Sequence, residues 1–127
     1  MGIVHHGAYL PYLEEARVEY LRAIGHPYQS LQAEGVDIAV LESAVRYLQP
    51  LKFDDLMTVH LAPGAGTRTT FEITYLVTVD DRVCSSAMTA HACVNGRGRP
   101  VRLPPWLATL TAPHRALGAK STVVVDP

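Results

Sequence analysis

The chain has 127 residues, with 11 basic against 12 acidic side chains and a formal net charge of −1, so no overall field draws it to nucleic acid or to an anionic membrane surface. Apolar residues make up 48% and charged residues 18%, the balance of one compact domain with a real core and not of a disordered chain. No stretch approaches the length of an apolar membrane span, and the N-terminus lacks a basic-then-apolar leader pattern, so the expectation is a cytoplasmic protein without membrane insertion.

Residues 8–24 read as a helix. Leu10, Leu13, Ala16, Tyr20 and Ile24 recur at three- and four-residue steps, with Leu21 broadening the stripe. Pro11 is tolerated only in a first turn, which puts the helix start near Gly7 or Ala8. Gly25 stands where a left-handed cap belongs, and Pro27 blocks continuation. From Val36 the pattern becomes that of strands: Val36, Ile38 and Val40 alternate with Asp37 and Ala39, and the run stops at Pro50. A second strand is predicted from Leu56 to Ala62, followed by a turn at "GAG" (64–66). In the third, Phe71, Ile73, Tyr75, Val77 and Val79 share one face, with Thr70, Glu72, Thr74 and Thr78 on the other. "DDR" (80–82) turns the chain, a fourth strand covers 83–94, and Asn95-Gly96 ends it as a favoured tight-turn pair. A short helix is predicted at 105–110, and the tail "STVVVDP" has strand character. There is no internal repeat, low-complexity run or linker. One helix followed by an antiparallel meander predicts an α+β fold with the helix packed on one sheet face.

Cys84 and Cys93 stand nine positions apart in one predicted strand, an odd separation that places them on opposite faces, too far apart to bridge. Two buried thiols in a reducing compartment is the plain reading. The mean hydropathy of +0.10 is slightly high for a soluble monomer and points to apolar surface buried between subunits.

Three segments, "GIVHHGAYLPYLEEAR", "YLQPLKFDDLMTV" and "TAHACVNGRGRPVRLP", span positions 2–104. In this order and spacing the chain resembles the hotdog-fold acyl-CoA thioesterases of the 4-hydroxybenzoyl-CoA thioesterase type. The first segment is the most specific, because that family carries D-x-x-G-[IV]-V-x-[HY]-x-x-Y before a helix with an acidic residue and an arginine. The resemblance implies an antiparallel sheet wrapped around one long central helix, and hydrolysis of an acyl-CoA thioester with the ligand between two subunits whose sheets join edge to edge. It also implies a homo-oligomer, a homodimer or a homotetramer. Gly2 takes the place of the motif glycine, so the family's loop aspartate would fall two positions upstream of Met1, and the strand that precedes the loop in the family is missing too. Either the start is assigned at an internal methionine, or this is a shortened member that lost hydrolysis. The second case makes it a catalytically impaired acyl-thioester-binding or assembly protein of the same fold.

Thioester hydrolysis needs a delivered nucleophile and a stabilised oxyanion more than it needs leaving-group protonation, since a thiolate leaves readily. In that family a carboxylate serves as nucleophile or base, and a helix N-terminus polarises the carbonyl. By this match the backbone N–H near His6 is the oxyanion donor, and Gly2, Val4 and His5 of the same loop line the substrate. Tyr9 either lines the acyl pocket or packs as the first core aromatic of the helix. Glu14 is the best substitute acid on offer, with Glu15 and Glu19 as rivals, though Glu14 and Arg17 at i,i+3 also suit an ordinary surface ion pair. Arg97, Arg99 and Arg102 suit the phosphates of coenzyme A, whose fork-matched oxygens favour guanidinium groups, or a solvated loop. His5 and His6 enter a helix consecutively with no nearby Cys, Asp or Glu to complete a ligand set, so no metal is expected; nor is any cofactor beyond the coenzyme A thioester as substrate. His91, on the parity of Thr89 and Cys93, reads as a structural histidine. Ser85 and Ser86 lack the strand–turn–helix setting of a serine nucleophile, and the Asp/His pairing of a hotdog dehydratase is not visible.

Overall fold

The computed structural model of the chain describes residues 9–52, 55–111 and 121–125, the last five and Tyr9 by their backbone. The elements in chain order are α1 (Tyr9–Ala23), α2 (Tyr28–Ala33), β1 (Asp37–Tyr47), β2 (Met57–Gly66), β3 (Thr70–Val79), β4 (Arg82–Val94), α3 (Pro105–Leu110) and β5 (Ser121–Val125). The strands form one sheet in the order β1-β4-β3-β2-β5, with every neighbouring pair antiparallel.

Helix α1 buries Leu13, Ala16, Arg17, Tyr20 and Leu21, the one-sided spacing its sequence predicts. Leu10, assigned to the same stripe, instead lies exposed. The helix ends at Gly25, whose φ of +87° suits only a residue without Cβ. There His26 N–H donates to the Leu21 carbonyl (2.9 Å) and Gly25 N–H to that of Arg22 (3.1 Å), the paired bonds of a Schellman cap. Helix α2 is not evident in the sequence: it is six residues long, anchored by buried Leu31, too short for periodicity to register. Pro27, which stops α1, serves as its N-cap residue.

Strand β3 alternates as expected, with Phe71, Ile73, Tyr75, Val77 and Val79 buried beside Met57, Val59 and Leu61 of β2. Asp80 and Asp81 both have positive φ (49° and 65°) and join β3 to β4 as a two-residue turn closed by the Val79–Arg82 pair. The "GAG" segment is not a turn. β2 continues through it to Gly66, and the chain turns at 67–69, where Thr67 Oγ1 accepts the N–H groups of Thr69 and Thr70. A bulge between Pro63 and Gly66 brings Gly66 against Thr111, whose Cβ would lie 2.7 Å from any Cβ at 66; a side chain cannot be accommodated there.

Asn95 likewise opens a longer loop instead of a two-residue turn. Its Oδ1 accepts from the backbone N–H of Arg97 (2.9 Å) and Arg99 (3.1 Å), Gly98 takes φ +75°, and Val94 bridges to Pro100. Helix α3 forms where predicted, and the tail forms β5, paired to β2 from Leu61–Ser121 to Met57–Val125. Cys84 and Cys93 are both free and buried.

α1 lies across the half of the sheet made by β2 and β5. Among the described residues β1 is the other edge strand, and along it and just beyond, Val40 (55%), Leu41 (59%), Tyr47 (48%) and Leu48 (52%) are exposed.

Candidate active site

The motif residues Gly2, Val4, His5 and His6 lie outside the described residues, as does the side chain of Tyr9, whose backbone begins α1. Glu14 and Glu15 face solvent on α1. The ion pair that the i,i+3 spacing of Glu14 and Arg17 would also allow is not formed; among the described residues the pair on α1 is Arg22–Glu19, at 2.7 Å. The reason is rotational. Positions 13, 16, 17 and 20 face the core, so Arg17 is turned inward (8% exposed) while Glu14 stays outside.

The three arginines of 97–102 separate. Arg97 and Arg99 sit exposed on the loop that Asn95 organises. Arg102 lines a cleft of about 270 Å³ with Thr67, Arg68, Leu103 and Ala108, held together by Leu103 N–H donating to the Arg68 carbonyl (2.8 Å). Arg68 is the residue the sequence reading missed. It belongs to the β2–β3 turn, and only the antiparallel pairing of β3 with β4 brings that turn beside the segment following β4.

The inner face of β4 carries polar groups. His91 is fully buried, stacks on Phe71 with ring centroids 5.1 Å apart, and places Nε2 2.7 Å from Thr89 Oγ1, which in turn lies 2.8 Å from the Tyr75 hydroxyl. Burial first, and then the positive charge of Arg17, push the His91 imidazole down to about 4, so it is neutral at physiological pH. The Ala39 carbonyl favours its charged form without closing a hydrogen bond, and Nδ1 has no partner, like Ser85 Oγ. Burial also pushes the Cys93 thiol up to about 11, which leaves it unreactive. Among the described residues, no group of three His, Cys, Asp or Glu side chains could hold a metal ion, and no helix is long and apolar enough to cross a membrane.

A long helix laid on one face of an antiparallel sheet is the hotdog arrangement of thioester-processing proteins. The chain belongs to the thioesterase-like superfamily, whose profile matches residues 1–110. It is 30% identical over 105 residues to the acyl-CoA thioesterase YbgC of Haemophilus influenzae, covering 81% of this chain and 77% of that one. To the 1,4-dihydroxy-2-naphthoyl-CoA hydrolase of Nostoc punctiforme it is 29% identical over 114 residues, covering 85% and 77%. Among solved structures, a protein of Aquifex aeolicus superposes with a TM-score of 0.81 at 36% identity over 87% of both chains.

Proposed function

We infer that the protein hydrolyses an acyl-CoA thioester to the free acid and coenzyme A. The observation that carries this is the family match over 110 residues, which includes the loop and helix that polarise a thioester in such proteins. In the reaction, water adds to the carbonyl carbon, the tetrahedral oxyanion collapses with cleavage of the C–S bond, and the coenzyme A thiolate leaves. The backbone N–H near His6, three residues ahead of α1 in the sequence, is the donor we assign to the oxyanion. Glu14, exposed and unpaired by Arg17, is the carboxylate we assign to water activation. Arg102 and Arg68 receive the phosphates at the nucleotide end, with Arg97 and Arg99 beside them. The working unit is a homo-oligomer joined through β1, whose edge has no further strand among the described residues and whose exposed apolar side chains call for cover.

The test is thiol release from short, long and aromatic acyl-CoAs, with Glu14→Gln alongside. Turnover that falls at least about tenfold in kcat with Glu14→Gln supports the assignment; turnover with no such fall sinks Glu14 as the base. Absence of hydrolysis across the whole panel, with binding of acyl-CoA retained, would instead favour a carrier role.

A further inference from the structure

The inner face of the sheet carries the core, and the strand register orders the outer face into rows. Arg46, Ser86, Leu76 and His60 form one row across β1, β4, β3 and β2, and Ala44, Met88, Thr74 and Ala62 form the next. Each strand thus contributes one large and one small side chain: Arg46 beside Ala44, Met88 beside Ser86, Leu76 beside Thr74, and His60 beside Ala62. Two clefts, of about 280 Å³ and about 420 Å³, are lined by these residues and share Thr74 and Tyr75 of the central strand. Leu76 borders the first and is 38% exposed; Met88 borders the second. A single exposed leucine needs no explanation. Large and small side chains paired on every one of these strands make a surface that fits itself.

An axis of two-fold rotation laid across the strands, between the two rows, brings each large side chain of one copy over the small one of the same strand in the other. Stacked sheets lie about 10 Å apart with their strands nearly aligned, and side chains interdigitate between them in this way. The charges agree with the same axis. Arg46 lies on one side of it, while Glu42 and Glu72 both lie on the other, in the row beyond Ala44. Within one copy Arg46 and Glu42 stand four residues apart on an extended strand, about 13 Å, too far to pair. Seated over Ala44 of the second copy, Arg46 is one row, about 7 Å, from Glu42 of that copy, within reach of its long side chain. We propose that the outer face of the sheet is an isologous interface with a second copy of this chain, stacked back to back about that axis. The contact is separate from edge joining at β1, and a chain using both surfaces assembles as a tetramer.

The experiment uses the full chain with Leu76→Lys, Ala62→Trp, Glu42→Arg, Arg46→Glu and the double swap Glu42→Arg/Arg46→Glu. Each is first checked for a cooperative thermal transition. The altered positions are exposed or half-buried, and should Leu76→Lys or Ala62→Trp fail to fold, the other decides. Sedimentation over a range of concentrations gives the mass of the assembly and its dissociation constant. Wild type associates, and Leu76→Lys and Ala62→Trp each weaken the association at least about tenfold. Each charge reversal sets like charges against each other and weakens it at least about threefold, and the double swap recovers most of that loss. Leu76 lies two strands inside the β1 edge, so its effect separates stacking from edge joining. A loss confined to the two charge reversals would put the contact at the edge and overturn the proposal. So would a folded Leu76→Lys or Ala62→Trp that associates like wild type, or a wild type that stays monomeric throughout. None of these readings depends on whether a thioester is hydrolysed.

Discussion

The imidazole of His26 lies flat against the indole of Trp106, with ring centroids 3.9 Å apart and planes within 2°. One ring belongs to the cap that follows α1 and the other to α3, so this stack fastens the two helical segments to each other. Trp106→Ala is expected to lower stability by about 2 kcal/mol, less than for a fully buried aromatic because Trp106 is half-buried. Urea denaturation of the variant beside wild type measures this, and a loss comparable to that of a surface substitution would deny the stack a structural role.

Acid should weaken the fold through His91. Its folded value of about 4 lies below the 6.5 of the unfolded chain, so between these pH values the unfolded state binds the extra proton. Stability contributed by the neutral ring is therefore complete above about pH 6.5, declines as pH falls, and is fully lost below about 4. The whole effect amounts to roughly 3 kcal/mol. Chemical denaturation at a series of pH values reads it directly, and His91→Phe should flatten that part of the profile.

Substrate recognition at the nucleotide end is expected to show in KM. The double variant Arg68→Ala/Arg102→Ala should raise KM for an acyl-CoA about tenfold at low salt with little change in kcat, and less at high salt, where charge contacts are screened. An N-acetylcysteamine thioester with the same acyl group has no phosphates and should be handled alike by both proteins. A similar KM rise on that shortened substrate would mean that the arginines act elsewhere.

Gly66→Ala places a methyl group against Thr111 and should destabilise by about 1–3 kcal/mol. Thr111→Gly in the same chain removes the obstructing atoms, so a double-mutant cycle should recover part of the loss. If the two losses simply add, the contact is not what excludes a side chain at 66.

Much of this architecture is legible in the sequence, and the parts that are not share a cause. β3 announces itself because each of its buried positions faces one core through strict alternation, and α1 because Gly25 and Pro27 mark its end. Helix α2 escapes because a single anchor, Leu31, has no periodicity. The two glycines of "GAG" suggest a turn by composition, but they serve a bulge and a close approach by Thr111, a residue 45 positions away in the chain. Long-range pairing also hides the site. Arg68 meets Arg102 only through strand register, and Arg17 loses Glu14 because the helix turns one inward and the other out. The resemblance in the loop supplied the family, while the motif positions Gly2–His6 themselves lie outside the described residues.

Helix α1 packs on β5, so an early segment of the chain touches one of the last. Closing a contact between segments about a hundred residues apart is entropically slow and rewards nothing until both parties exist. On the ribosome, α1 and β1–β4 would emerge and collapse while the β2 margin still waits for its final neighbour. The nascent protein would thus pass through a stage with an unprotected hydrogen-bonding flank, when chaperone attention or mispairing between polysome neighbours has its best opportunity.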